Sequence, residues 1–122
     1  IIAIRDMVCQ ALVAAERLHR QGISVRVIDC HTLKPLDVET IVRAAQETGA
    51  MVTAESNTIM GGLGSAVAEV LVEHCPVPMR RIGVRDVFAE SGPYLELLEK
   101  YGLSAGHIAE AVRQVMNRAA CE

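Results

Sequence analysis

The chain predicts an α/β domain whose parallel sheet is covered by helices on both faces. Three observations carry that expectation. Short runs rich in Ile and Val alternate with stretches of helical periodicity along the chain. Glycine, proline or a capping residue stands at nearly every change from one to the other. The length of 122 residues, 51% of them hydrophobic, suits one domain with a real core. Strands that alternate with helices need crossover connections, and each crossover helix must pack back over the sheet.

Ile1 to Ile4 is the first apolar run, read as a strand. From Met7 to Gln21 the positions Met7, Val8, Ala11, Leu12, Ala15 and Leu18 recur at three- and four-residue spacing, which predicts an amphipathic helix closed by Gly22. Ser24 to Asp29 reads as the second strand. The loop His31 to Leu36 follows, and Pro35 bars helix before it. Asp37 is placed to cap a helix that runs to about Thr48, with Ile41, Val42 and Ala45 inward and Gly49 as its stop. Ala50 to Glu55 is the third strand, and Ser56 to Gly64 a glycine-rich loop. Leu63 to His74 is a helix with Val67, Val70 and Leu71 on one face. Pro76 and Pro78 break the chain before a fourth strand, Arg80 to Val84. After the loop Arg85 to Gly92, a short helix opens at Pro93 and ends at Gly102. Ser104 caps the last helix, where Ile108, Val112 and Val115 line one side.

A single domain covers residues 1–122. Because it opens directly in a strand, with no initiator Met, it is expected to be excised from a longer chain. The net charge is -3 and the signs are mixed. Arg80, Arg81 and Arg85 form the densest basic cluster, too little for a nucleic-acid face. No apolar run reaches the roughly 20 residues of a membrane span. Cys9, Cys30, Cys75 and Cys121 form no C-x-x-C pair and match no zinc spacing, so reduced thiols in a cytoplasmic protein are expected.

Functional loops of such sheets lie at the carboxyl ends of strands. The richest is Glu55 to Val67, where a carboxylate, then Gly61, Gly62 and Gly64, lead into a helix. Glycines permit close backbone approach and a helix N-terminus attracts anions, so a phosphate or nucleotide cradle is one reading. The other, which we prefer, is a tight turn whose glycines allow close packing while Glu55 is held by backbone N–H groups or a partner chain. The dinucleotide fingerprint is incomplete, since Val67 stands where its third glycine belongs. His31 and Lys34 could bind an anion or move a proton, or could sit in a structural loop ahead of the Asp37 cap. Asp86 and Glu90 could pair for acid–base work, or the segment through Ser91 could only shape a turn. His19, His74 and His107 read as solvated helix residues.

Three segments in register resemble the C-terminal domain of the transketolase family. They are Gly22 to Asp29 with His31-Thr32-Leu33-Lys34-Pro35-Leu36-Asp37, Gly49 to Glu55 with Gly61-Gly62-Leu63-Gly64-Ser65-Ala66-Val67, and Asp86 to Gly92 with Leu97-Leu98 and Tyr101-Gly102-Leu103. Two positions depart from the usual pattern: Arg5-Asp6 stands where relatives carry Gly and a small or polar residue, and Asn57 where many carry His. The resemblance implies a three-layer αβα sandwich on a mostly parallel mixed sheet with one antiparallel strand, its fifth strand drawn from the region of Val77 to Arg81. It implies a parent enzyme that transfers a two-carbon ketol unit between sugar phosphates. Thiamine diphosphate and Mg²⁺ would sit in that parent's other two domains. A deoxyxylulose-phosphate synthase or a 2-oxoacid dehydrogenase E1 component is the alternative parent. This domain would supply no catalytic, cofactor-binding or metal residue and would be inactive alone. Glu55, Gly61, Gly62, Gly64, His31, Asp37, Asp86 and Ser91 would serve as structural or interface loops. Its implied partners are the pyrimidine-binding and diphosphate-binding domains, in a homo-oligomer. An independent phosphometabolite- or nucleotide-binding domain, and a module docking another subunit, are the competing readings of the residues.

Overall fold

The computed structural model describes residues 1–85 and 91–121. Nine elements follow in chain order among them: β1 (Ile2–Ala3), α1 (Met7–Arg20), β2 (Ile28–Asp29), α2 (Val38–Thr48), β3 (Met51–Thr58), α3 (Leu63–His74), β4 (Met79–Val84), α4 (Tyr94–Lys100) and α5 (Ala105–Cys121). The strands form one sheet in the order β2-β1-β3-β4, and every described pairing is parallel.

Strand alternation sends side chains to two cores. Ala3, Val52 and Ala54 face α1 and α5, with Leu98 of α4 completing that layer. Ile2, Ile4 and Met51 face α2 and α3. These are the three layers that the resemblance implies. Its antiparallel strand has no counterpart among the described residues. Met51 N donates to Pro78 O at 3.0 Å, and Met51 pairs with Met79, which commits residues 79–81 to β4, parallel to β3.

Five local expectations change. Met7, Ala11, Ala14 and Leu18 are the buried stripe of α1, while Leu12 is 54% exposed. Leu12 lies one step of about 100° past Ala11, outside a stripe kept narrow by alanines that bring α1 close to the sheet. The second strand contracts to Ile28–Asp29. It lies at the sheet edge and is tied to β1 by Ile28 N donating to Ile1 O and Cys30 N to Ala3 O. Strand β3 runs on to Thr58, so Glu55 lies inside it. Pro93 is the cap of α4 and not its first residue. Ser104 does precede α5, but its hydroxyl meets His107 Nδ1 at 2.7 Å, and Gln10 Oε1 of α1 accepts from Ala105 N at 3.0 Å.

The connection β1-α1-β2 runs one way across the sheet on one face. The connections β2-α2-β3 and β3-α3-β4 run the other way on the opposite face. The order in which strands are added therefore reverses between β1 and β3, which are parallel neighbours. Outside their carboxyl ends lies the crevice where open α/β sheets usually take their ligands.

Candidate functional site

Two carboxylates stand at that crevice. Glu55 is 1% exposed and accepts from Leu63 N at 2.9 Å and Gly64 N at 2.7 Å. These are first-turn amides of α3, which have no partner inside the helix. The buried charge meets the positive end of the helix dipole. The glycines fit around it. A Cβ at Gly62 would lie 1.8 Å from Glu55 Oε1. A Cβ at Gly64 would lie 2.8 Å from Arg81 Cδ and 2.9 Å from Thr53 Oγ1. Gly61 has φ +74, in the left-handed region. Arg81 closes the turn from β4, donating to Ile59 O at 3.2 Å and Ser65 Oγ at 3.5 Å. An anion cradle needs these amides free, but Glu55 occupies them.

The second carboxylate is Asp6, the residue before α1. It makes no side-chain cap to its own helix. Its Oδ1 accepts from Ser56 Oγ at 2.8 Å, and its Oδ2 accepts from the Tyr94 hydroxyl. That hydrogen bond, with burial and the Asp6 charge adding to it, pushes the Tyr94 hydroxyl up to about 12. Arg5 beside it has φ 56, a left-handed conformation unusual for a side chain with Cβ. Negative charge therefore borders the crevice on the α1 side and on the α3 side.

His31 and Asp37 come together elsewhere, on a cleft of about 240 Å³ between the end of β2 and α2, with Cys30 and Pro35 in its wall. His31 Nε2 lies 3.7 Å from Asp29 Oδ2, and its side chain is well exposed. Asp37 caps α2 through Thr40 N at 3.1 Å and Thr40 Oγ1 at 2.7 Å. Those two hydrogen bonds hold its carboxyl below the usual aspartate range. Burial raises the Cys30 thiol, only partly offset by its bond to Thr32 O, so it favours the protonated form. Ser91 is exposed. Asp86, Phe88 and Glu90 lie outside the described residues.

Thus the structure brings Glu55, Gly61, Gly62 and Gly64 together and keeps His31 and Asp37 apart from them. Sequence reasoning missed Arg81, Ser56 and Tyr94. Arg81 had a signal: alternation along β4 puts it and Gly83 on the α3 face. Ser56 and Tyr94 had none, since they meet Asp6 across 50 and 88 positions.

Comparison with known proteins adds a family. A family model described as "Transketolase, C-terminal domain" matches residues 1–108. The chain is 52% identical over 118 residues to the 6-deoxy-6-sulfo-D-fructose transketolase subunit SqwH of Clostridium sp. (strain MSTE9), covering 97% of this chain and 37% of that protein. It is 44% identical over 119 residues to the 1-deoxy-D-xylulose-5-phosphate synthase of Syntrophotalea carbinolica, covering 96% of this chain and 19% of the synthase. Among solved structures it matches a split gene transketolase, an inactive beta4 tetramer, with TM-score 0.91 and 50% identity over 95% of this chain and 38% of that one. The chain thus spans less than two-fifths of the length of each of these relatives.

Proposed function

This chain belongs to the transketolase C-terminal domain family, and we propose that it is the folding and docking unit of a transketolase-type enzyme, with the chemistry housed in other domains. The observation that carries this reading is the Glu55 carboxylate seated on the α3 amides at 2.9 and 2.7 Å. A diphosphate would need those donors, and it would meet a buried negative charge in their place. Among the described residues no three His, Cys, Asp or Glu side chains are grouped to hold a metal ion. Glu55 on those amides supports the reading that thiamine diphosphate and Mg²⁺ are held by other domains.

The proposed parent transfers a two-carbon ketol unit between sugar phosphates, and the thiamine diphosphate held by its pyrimidine-binding and diphosphate-binding domains supplies that chemistry. The higher identity to the transketolase subunit, 52% against 44% for the synthase, favours this parent over a synthase. Docking uses the carboxyl end of the sheet. There Met60 is 65%, Tyr94 50% and Leu95 69% exposed, apolar area that a partner domain would cover. Asp37, His31 and Ser91 shape the loops around that end. The assembly is a cytoplasmic homo-oligomer on this reading. Among the described residues no helix is long and apolar enough to cross a membrane.

Two measurements test the proposal. Calorimetric titration of the purified chain with thiamine diphosphate and Mg²⁺ should show no binding that depends on both the thiazolium–pyrimidine portion and the metal. A separately expressed pyrimidine-binding domain should bind the chain, and Met60→Asp with Leu95→Asp should weaken that binding. Ketol transfer by the chain alone, or metal-dependent cofactor binding that inorganic pyrophosphate does not reproduce, would overturn it.

A further inference from the structure

The basic cluster Arg80, Arg81 and Arg85 gains a fourth member in the fold. Arg118 of α5 joins these three, with Ala68 and Met79, in lining an open cleft of about 340 Å³. The cleft follows β4, the end strand of the sheet. No described carboxylate pairs with Arg80, Arg85 or Arg118, although Arg20, Arg26, Arg43 and Arg113 all have acidic partners. Arg81 is fixed by Ile59 O and Ser65 Oγ, neither of them charged. Four arginines thus line one concavity, three of them without an acidic partner among the described residues, in a chain whose net charge is -3.

We propose that this cleft binds a small, extended polyanion carrying two or more phosphate groups. Guanidinium is a planar fork that matches phosphate oxygens and stays charged at all working pH values. Arg85 lies five positions after Arg80, roughly 16 Å along extended backbone, so the charges form a row and not a point. A row suits a ligand whose charges are spread out, and a single phosphate can meet only part of it. The volume of about 340 Å³ admits a chain of a few phosphates. The cleft lies off the β1–β3 crevice, on the far side of β3 from β1.

Inorganic tripolyphosphate and orthophosphate are the probes, titrated into the intact chain at low salt and followed by calorimetry. Tripolyphosphate should bind saturably and at least about tenfold more tightly than orthophosphate, and the affinity should fall steeply as salt rises. Arg80→Gln and Arg118→Gln should each weaken it about tenfold, the loss of one charge-assisted contact. Arg43→Gln, on α2 and already paired with Glu39, should leave it unchanged. No saturable binding, equal affinity for the two probes, or wild-type affinity in both variants overturns the proposal. So does tighter binding of a single-stranded oligonucleotide of equal charge. Circular dichroism of each variant separates lost binding from lost folding. Any binding of thiamine diphosphate that Arg80→Gln and Arg118→Gln abolish belongs to this cleft. Binding that survives both would instead count against the docking-unit reading.

Discussion

Replacing Glu55 by Gln changes one oxygen to an amide and tests the seat of the α3 helix. Glu55 holds two amides at 2.9 and 2.7 Å and is 1% exposed. Hydrogen bonds to a charged group contribute about 1.5–3 kcal/mol each, and the dipole contributes up to about 1 kcal/mol more. Gln keeps one acceptor, now neutral, and turns an NH₂ donor toward the other backbone N–H. The offset is that a buried amide escapes the desolvation cost of a buried ion, several kcal/mol. The balance is a loss of about 2 kcal/mol. Glu55→Ala leaves both amides unpaired beside a cavity and should cost about 4 kcal/mol. The assay is urea unfolding by circular dichroism. With a slope of about 1–3 kcal/mol per molar, the Gln variant should lose about 1 M from its midpoint without a change of slope. The Gly62→Ala substitution supplies the internal control. Its Cβ would strike Glu55 Oε1 at 1.8 Å, so it should destabilise the wild type far more than it does the Glu55→Ala background. A Glu55→Gln protein as stable as the wild type, or equal damage from Gly62→Ala in both backgrounds, would refute the carboxylate-filled helix terminus.

Thr53 is fully buried and its hydroxyl has no hydrogen-bond partner among the described residues, so Thr53→Val should raise stability by about 1 kcal/mol, read as a higher unfolding midpoint. Spectroscopic titration, with Tyr94→Phe as the reference, should place Tyr94 at about 12, and Asp6→Asn should return it toward the ordinary tyrosine range. Because the folded value is raised, that contribution to stability is present below about pH 10 and is lost as pH climbs toward 12. Asp37→Ala should lower stability at neutral pH. The difference should vanish as pH falls through the depressed Asp37 range, since the wild type loses its cap when that carboxylate is protonated. Arg5→Val should destabilise by about 1–2 kcal/mol, because φ 56 is forbidden ground for a β-branched side chain, whereas Arg5→Gly should be close to neutral. Thermal unfolding of both variants checks this.

Much of the architecture was legible because it rests on local patterns. Asp37 before Val38 and Gly49 after Thr48 mark the ends of α2, and Asp37 accepts from Thr40 N while Gly49 takes φ 76. Helix α3 begins at Leu63 and ends at His74, as its periodicity and the prolines after it require. The illegible parts depended on neighbours. The second strand was overlong because Val25 and Val27 look like strand residues, but only Ile28 and Asp29 find a ladder on β1. Leu12 read as core because spacing alone cannot say how wide a stripe the packing will cover.

The residues themselves determined the βα alternation, the helix ends and the transketolase C-terminal likeness, since each is written within a few neighbouring positions. Only tertiary structure decided that Glu55 turns onto the α3 amides, that Asp6 gathers Ser56 and Tyr94, and that Arg118 arrives beside Arg80. Those meetings depend on where distant strands and helices end in space, and backbone periodicity carries no information about side chains that sit on different elements.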